Sequence, residues 1–325
     1  MRAVMEEVIE GQDQVPILEP IHGRSHRFGA MNLMVVLVQV AGWALCLTLL
    51  DDNRVPLWLR VLSVAVFSLL LQGVFSMMHE FCHFNAHKNR KLNYLIGWVS
   101  ATLFGTIPTL IKVQHWGHHR RSRSEPERGE FIHAGERAWV KHVRYYSAIL
   151  GGLWLICFLF PIVALILPYS LAKWMTSDEE FNTYSAAFND YNRRDWNIMR
   201  LESLVFFAYW IALIGWGPWQ WQTLLIAYSA FAFTWSSLQW VYHINTPIHT
   251  IEGTYNLRAP LLIRIGMLNF NYNLTHHRKP HIPWQDLFRK SDQKETQPLW
   301  YRYLLVFKGP TPFPEDTSVL DKHYF

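Results

Sequence analysis

Two long apolar runs near the start of the chain constrain its fold most. The first extends from Met31 to Leu50 and the second from Val55 to Met78, and only the polar turn Asp51-Asp52-Asn53-Arg54 separates them. A helix that crosses a membrane needs about 20 apolar residues in succession. The two runs therefore predict a helical hairpin in a membrane, with both of its outer ends on one side.

The charges at the ends of this hairpin predict its orientation. Basic residues flank the outer ends: Arg24, Arg27, Lys88, Arg90 and Lys91. Because Lys and Arg accumulate on the cytosolic side of membrane proteins, we expect these ends to face the cytosol. The net charge of +5 is then a sign of topology, and no nucleic-acid partner is expected.

Four further apolar segments follow along the chain. Lys91–Lys112 contains Gly97, Gly105 and Pro108, and we expect it to be a re-entrant or interfacial hairpin. The other segments are Tyr145–Tyr169, Leu201–Trp216 and Trp221–Tyr242.

Two topologies fit the last three segments. In one, the last two segments cross out and back, and Tyr145–Tyr169 is a second re-entrant element. In the other, Tyr145–Tyr169 crosses fully and Leu201–Trp216 lies at the interface. Both give about four crossings. The fold class is therefore all-α: a multi-pass membrane helical bundle of about four spans plus re-entrant or interfacial segments, with a cytosolic histidine-rich cap.

Histidines form the main chemical pattern of the sequence. Of the 16 histidines, nine fall in three clusters and at one helix end. HEFCHFNAH contains His79, His83 and His87, HWGHH contains His115, His118 and His119, NLTHH contains Asn273, His276 and His277, and His243 follows Gln239 by one helical turn. Residues three or four apart share one face of a helix, so each cluster presents several imidazoles together.

The number of clustered histidines indicates more than one metal ion. Neutral imidazole binds Zn, Cu, Fe and Ni, and one ion needs only three or four such ligands. The three cysteines, Cys46, Cys82 and Cys157, form no CxxC pair, which argues against a cysteine-based metal site. A nitrogen-rich site beside a membrane suits non-haem iron and O2 chemistry.

Two other kinds of metal protein are alternatives to this hypothesis. HEFCH fits the HExxH pattern of zinc proteases, in which Glu80 would act as general base. An intramembrane zinc protease would leave five or more clustered histidines unexplained. A bis-histidine haem protein needs isolated, facing histidines, and the tight clusters do not provide them.

The motifs HEFCH, HWGHH and NLTHH resemble the three histidine boxes of the integral-membrane fatty acid desaturase and hydroxylase superfamily. The segments KLNYLIGW, HINTPIHTIEGTYNLR and HHRKPHIPW are similar to that superfamily as well. The resemblance extends from about Phe75 to Leu287. It implies a di-iron site on the cytosolic ends of four helices, with O2 as co-substrate.

The resemblance also implies which residues bind the two irons. By carry-over these are His79, His83, His115, His118, His119, His243, His276 and His277. Gln239 falls where some members have a water-holding Asn. Asn273 stands where the superfamily usually has His or Gln, and its amide oxygen is a weaker ligand for iron. Either Asn273 binds weakly or through water, or His87 supplies the missing nitrogen.

The resemblance divides the chain into three parts and implies an activity. Residues 1–30 are a cytosolic N-terminal segment, 31–287 the membrane desaturase-like catalytic domain, and 288–325 a cytosolic C-terminal tail. The activity is that of an O2-dependent di-iron oxidoreductase, a fatty acid desaturase that introduces a C=C bond. Alternatives within the superfamily are a hydroxylase, a decarboxylase that forms terminal alkenes, and a carotenoid ketolase.

Several partners follow from that activity. The substrate is a fatty acyl chain, presented as a free acid, acyl-CoA, acyl-carrier protein or lipid. Phe206, Trp210, Trp235 and Trp240 either line its tunnel or face membrane lipid. Electrons come from an external donor such as ferredoxin, because the sequence contains no flavin or iron–sulfur motif of its own. The run Arg120, Arg121 and Arg123 either docks an acidic partner or sets topology.

Overall fold

The computed structural model of the protein describes residues 28–175 and 190–324. The expectations for the segment 1–30, with Arg24 and Arg27, fall almost entirely outside these ranges. The helices are α1 (Gly29–Asp51), α2 (Leu57–Cys82), α3 (Arg90–Phe104), α4 (Pro108–Arg121), α5 (Ala138–Ser147), α6 (Leu153–Ile166), α7 (Tyr169–Met175), α8 (Arg193–Trp216), α9 (Trp221–Val241), α10 (Leu261–Gly266), α11 (Asn273–Arg278), α12 (Trp284–Lys290) and α13 (Leu299–Val306). The strands are β1 (Phe131–Ile132), β2 (Asn256–Arg258), β3 (Thr296–Pro298) and β4 (Thr311–Pro312).

The helical membrane fold expected from the apolar runs is confirmed. Within the described residues, four stretches are long and apolar enough to cross a membrane: Gly29–Asp51, Leu57–Cys82, Ala138–Ile166 and Arg193–Trp216. The first two are α1 and α2, the predicted hairpin, which pack along each other. Helix α2 continues to Cys82, beyond the predicted end at Met78, and so carries the first histidines on its last turn.

Helices α3 and α4 form the predicted re-entrant hairpin. Their axes meet at 95° across Gly105, whose φ of 96° is a backbone conformation that glycine adopts without steric cost. Both outer ends contact the last turn of α2, because Asn93 Nδ2 donates to Phe81 O and Trp116 Nε1 donates to Cys82 O. The pair therefore enters the bundle and returns to the same end.

The segment Ala138–Ile166 qualifies as a span by length and composition, but it is bent. A π-helical stretch, Ala148–Gly152, joins α5 to α6 and contains Gly151 with φ 126°. In the middle of the bundle, beyond this bend, the Trp154 ring stacks on Tyr228 at a centroid distance of 5.7 Å.

Both ends of that segment lie at the end of the bundle that carries the histidines. The Tyr145 ring packs against Trp240, three residues before His243, at a centroid distance of 5.1 Å. At the other end, Leu167 O accepts a hydrogen bond from Trp196 Nε1, close to the start of α8. These contacts match the topology in which this segment is a second re-entrant element.

Helices α8 and α9 run the full length of the bundle in opposite directions. Helix α8 begins with a capping box between Asn192 and Asp195, which satisfies backbone N–H groups at its start. Helix α9 begins at the far end, where Gln220 N and Thr223 Oγ1 donate to Asp51 Oδ1. Because α9 ends at Val241, it delivers His243 to the histidine end.

Residues after His243 form a cap on that end. Strand β2 pairs in parallel with β3, with Asn256 opposite Thr296. Helix α13 packs on α9, where the Ser237 hydroxyl and the Tyr303 hydroxyl lie 2.9 Å apart. The C-terminal residues up to 324 therefore lie against the membrane bundle.

Candidate metal centre

Five histidines from three helices form a first group. Their ligand nitrogens all lie within 4.8 Å of one another, and four pairs of Nε2 atoms are in direct contact. The pairs are His79–His276 at 3.0 Å, His83–His115 at 2.6 Å, His115–His119 at 3.0 Å and His119–His276 at 3.0 Å. Its members come from the C-terminal end of α2, from α4 and from the short helix α11, and four are buried while His115 is half-buried.

These separations fit imidazoles arranged around one metal ion. Two nitrogens bound at about 2.1 Å and at a right angle to each other lie about 3.0 Å apart. Several Nε2 lone pairs pointing at one another are otherwise unfavourable, because neutral imidazole carries only one N–H. The donor set, five nitrogens without a thiolate, fits iron.

A second group contains His118, His243 and His277. Their ring centroids lie 4.9 Å apart for His118 and His243, 5.3 Å for His118 and His277, and 5.2 Å for His243 and His277. The two groups are neighbours, because the rings of His119 and His277 are 4.6 Å apart. Consecutive helical residues point about 100° apart, so HWGHH and NLTHH each supply histidines to both groups.

Each histidine of the second group has a hydrogen-bond partner behind it. His118 Nδ1 lies 2.9 Å from Glu127 Oε2, and His243 Nδ1 donates to Gly253 O at 2.9 Å. His277 bonds the backbone of Thr250. For His118 and His243 this leaves Nε2 as the nitrogen that can bind a metal, an arrangement typical of metal-binding histidines.

Burial keeps the two cap histidines in the form that binds metals. It lowers the pKa of His276 and of His277 well below the usual value, and the neighbouring histidines His79 and His118, respectively, lower each pKa further. Both imidazoles are therefore neutral near pH 7, with a lone pair free for a metal.

The three remaining positions singled out from the sequence lie differently. His87 belongs to neither group: its Nδ1 accepts a hydrogen bond of 2.9 Å from Asn89 N. Asn273 is buried beside the second group, and its Oδ1 accepts a hydrogen bond of 2.7 Å from Thr254 Oγ1. Gln239 lines the same cavity as Asn273.

Sequence reasoning missed the residues that orient the second group. Glu127 lies in a short 3-10 helix, Glu125–Glu127, outside the histidine motifs. Gly253 and Thr254 lie in the irregular segment before β2. The available signal was chemical: a histidine that binds a metal usually has a carboxylate or carbonyl behind it, and Glu127 is one of three glutamates, with Glu125 and Glu130, in the polar loop after α4.

A cavity of about 510 Å³ opens onto the second group. It is lined by His115, His118, His243, His277, Asn273 and mostly apolar side chains of α4, α6 and α9. Trp235 and Trp240 line this cavity, in agreement with the expectation that they line a substrate tunnel. Phe206 and Trp210 do not line it; they are buried against Phe158 and so do not face lipid.

Two of the three arginines after the second motif are buried and so offer no exposed charge to a docked partner. Arg121 and Arg123 are buried, with ion pairs to Asp190 at 2.7 Å and to Glu130 at 2.7 Å. Arg120 also pairs with Asp190. All three arginines therefore form ion pairs with carboxylates from other segments of the chain.

The position of Glu80 does not favour a zinc protease. Its side chain is buried, and Oε2 accepts a hydrogen bond of 3.3 Å from the backbone N–H of Trp284. The two histidines of HEFCH also share their group with three others. A protease of that type needs its glutamate beside a metal-bound water, and these contacts hold Glu80 against the cap.

The comparisons with known proteins agree with this geometry. A family model described as fatty acid desaturase matches residues 55–308, which is well over half of the chain. No curated protein matches the chain significantly. The matched range includes both histidine groups, and the four apolar stretches make the chain an integral membrane protein. The chain therefore belongs to the fatty acid desaturase family of membrane oxidoreductases.

Proposed function

We propose that the protein is an O2-dependent fatty acid desaturase that uses two irons to introduce a C=C bond into a fatty acyl chain. The observation that carries this proposal is the pair of adjacent histidine groups, one of which opens onto an apolar cavity. An apolar cavity with few polar groups is suited to an acyl chain. We further propose residues 31–287 as the catalytic domain and 288–325 as its C-terminal tail.

The two histidine groups divide the ligands between the irons. His79, His83, His115, His119 and His276 hold one iron. His118, His243 and His277 hold the other, with Asn273 beside it. When bound, this pair of irons supplies O2-dependent oxidation of an unactivated C–H bond.

The protein orients the metal-binding histidines and excludes water from the site. Glu127 and Gly253 fix the orientation of the His118 and His243 rings. Nε2 of each ring is then the nitrogen left to bind iron. The apolar wall excludes water from the reacting carbon, which protects it from side reactions. The fatty acyl chain binds by burying its methylene groups, and each buried CH2 contributes about 0.8 kcal/mol of binding free energy.

The histidine end is proposed to face the cytosol. Lys88 is exposed there, between α2 and α3, and Arg90 and Lys91 are exposed at the start of α3. In the described part of the chain, the opposite end of the α1–α2 hairpin carries two basic residues, Arg54 and Arg60, against these three. This asymmetry follows the positive-inside rule.

A basic surface of the cap suits an acidic electron donor such as a ferredoxin. We define the cap patch as the exposed residues Lys279, Arg289, Lys290 and Lys294. Lys279 directly follows α11 and lies two residues after His277, so a donor docked there approaches the metal centre closely. Opposite charges across such a surface accelerate association, and salt weakens them.

The proposal is tested with purified protein loaded with Fe²⁺, a fatty acyl substrate, reduced ferredoxin and O2. Gas chromatography with mass spectrometry should show a product that lacks two hydrogens and contains a new C=C bond. A hydroxylated product would contradict desaturation in favour of the hydroxylase alternative. The absence of any oxidised product from protein that holds two irons would contradict the proposal as a whole.

A further inference from the structure

Two short helices of the cap, α10 and α13, each expose a cluster of apolar side chains. In α10, Leu261, Leu262 and Ile265 are all more than half exposed. In α13, Trp300 and Leu304 are more than half exposed as well, and they lie one helical turn apart on the same face. Clustered exposed apolar side chains mark a surface that contacts a partner or a membrane, whereas scattered single ones do not.

Helix α10 packs on α2 at some distance from the metal centre. Ser76 Oγ donates a hydrogen bond of 2.7 Å to the backbone O of Met267, the residue directly after α10. The two backbones approach closely, because a Cβ atom at Gly73 would clash with Gly266 O, and small residues permit such an approach. Gly73 precedes His79 by six residues. Helix α10 therefore contacts α2 roughly 9 Å along its axis from His79.

The face of α2 that α10 covers continues as a lipid-facing surface. Leu62, Val66 and Leu69 follow one another at helical spacing on the face that leads to Gly73. A Cβ atom at Gly266 would lie 2.6 Å from Leu69 Cγ, so α10 covers this face as far as Leu69. Leu62 and Val66 are exposed, and Val66 lies near the middle of the membrane-spanning helix α2. Helix α10 therefore borders membrane lipid.

Helix α13 has a similar relation to α9. The hydroxyl oxygens of Tyr303 and Ser237 lie 2.9 Å apart, and the ring centroids of Phe307 and Phe233 are 6.3 Å apart. Phe233 precedes His243 by ten residues, which is roughly 15 Å along the axis of α9. Phe233 is itself exposed on the outside of the bundle. Both cap helices therefore reach the depth of the membrane-spanning segments.

The charged residues of the two helices turn away from the exposed faces. The guanidinium carbon of Arg264, in α10, lies 3.8 Å from the ring centroid of Phe288. Arg302, in α13, is buried and donates to the backbone O of Ile244. The exposed side chains of α10 and α13 are thus apolar or aromatic, in contrast to the charged cap patch. Such faces fit the acyl region of a bilayer better than a charged, water-soluble partner.

We propose that α10 and α13 insert their exposed faces into the bilayer leaflet at the histidine end, so that the cap is an interfacial membrane anchor. Helices of this kind bury their apolar face about 5–10 Å into the boundary between headgroups and acyl chains, where Trp is favoured. Residues 267–272 alone join α10 to α11, which carries His276 and His277. The leaflet therefore also holds α11 in place. This inference goes beyond the proposed function and does not depend on the reaction at the metal centre.

Membrane depth is measured with spin labels on protein in phosphatidylcholine nanodiscs. Leu262→Cys and Leu304→Cys place a label on each proposed face, and Lys294→Cys, in the cap patch, is the water-facing control. All three residues are exposed, so the fold should tolerate the changes. We expect O2, which concentrates in hydrocarbon, to relax the labels at 262 and 304 more strongly than a water-soluble nickel chelate does. The order should reverse at 294. The unmodified protein gives the background from its own cysteines, of which Cys46 and Cys82 are buried.

Each other outcome of the labelling overturns the inference. Stronger relaxation by the nickel chelate at position 262 or 304 would place that face in water. Shielding from both reagents would show that protein covers the face, and magnetic broadening between labels would then identify a second copy of the chain.

A matched pair of substitutions tests the anchor without labels. Leu262→Asp should lower the unfolding temperature in nanodiscs, because a charged side chain in a bilayer is costly. Val319→Asp is the control, since Val319 is also exposed but lies in the charged segment Asp316–Lys322, and it should cause no shift. An unchanged unfolding temperature for Leu262→Asp, or equal losses in both variants, would overturn the inference. Neither experiment measures iron or product, so failure of the anchor would leave the desaturase proposal intact.

Discussion

Thr254 Oγ1 donates a hydrogen bond of 2.7 Å to Oδ1 of Asn273. Asn273 stands at the position where the desaturase motif usually has His or Gln. The amide oxygen that would bind a metal is therefore already used within the cap. Asn273 is also buried beside His277 and lines the cavity. We infer that Asn273 shapes the second site through Thr254 and does not coordinate iron directly.

The Asn273→Ala variant tests this inference. The substitution removes the hydrogen bond with Thr254 and leaves every histidine ligand in place. The protein should therefore retain two irons per chain while losing part of its activity. Iron content measured by mass spectrometry of the purified protein decides the point. A drop to one iron would show that Asn273 is a ligand.

His118 and His87 form a matched pair for testing the ligand assignment. His118→Ala leaves the second group with only two histidines, so about one iron per chain should be lost together with the activity. His87→Ala removes a ring that bonds Asn89 and lies in neither group, and it should retain both irons. Equal losses in the two variants would contradict the assignment.

Glu127 should strengthen metal binding without touching the metal. Removing the partner of a metal-binding histidine typically weakens metal affinity about 10–100-fold, and we expect this range for Glu127→Ala at the second site. A chelator competition experiment measures it. Glu125→Ala is the control, since Glu125 lies in the same short helix and is exposed. Similar affinities for the two variants would show that the contact with His118 is incidental.

Glu252 links the cap to the helix that carries His276 and His277. Burial raises the pKa of Glu252, but hydrogen bonds from Arg278 and Lys322 outweigh it and lower the pKa to about 2. An ordinary glutamate has a pKa of about 4.3. The folded-state pKa is depressed, so this contribution to stability is complete above pH about 4.3 and is lost as the pH falls towards 2.

Glu252→Gln should therefore destabilise the protein at neutral pH and matter less in acid. The carboxylate is 36% exposed, so the loss at pH 7 should be at most about 1 kcal/mol. Thermal unfolding in detergent between pH 7 and pH 3 measures the difference from the unmodified protein. A stability difference that grows as the pH falls would contradict this prediction. Glu315→Gln serves as the exposed control.

Local patterns were enough to predict the main frame of the fold. Apolar run length predicted α1 and α2, and the requirement that Lys91–Lys112 bring two histidine motifs together predicted its return. The spacing within HWGHH and NLTHH predicted histidines on one face, because helical geometry over four residues is nearly invariant. These features depend only on neighbours in the chain.

Features that depend on distant partners could not be read from the sequence. Arg121 and Arg123 looked like a surface patch, but Asp190 and Glu130 reach them from irregular segments and bury them. The role of Glu127 depends on a loop with no periodic pattern. The split of His118 and His119 between two groups depends on where α11 rests in the cap, which tertiary packing decides.

The metal content of the purified protein tests the central claim most directly. We expect two irons per chain and no zinc by elemental mass spectrometry, with both irons lost from a variant in which His83, His115, His118 and His119 are changed to Ala together, since each group then keeps only two histidines. One zinc per chain, with peptidase activity that disappears in Glu80→Gln, would contradict this claim.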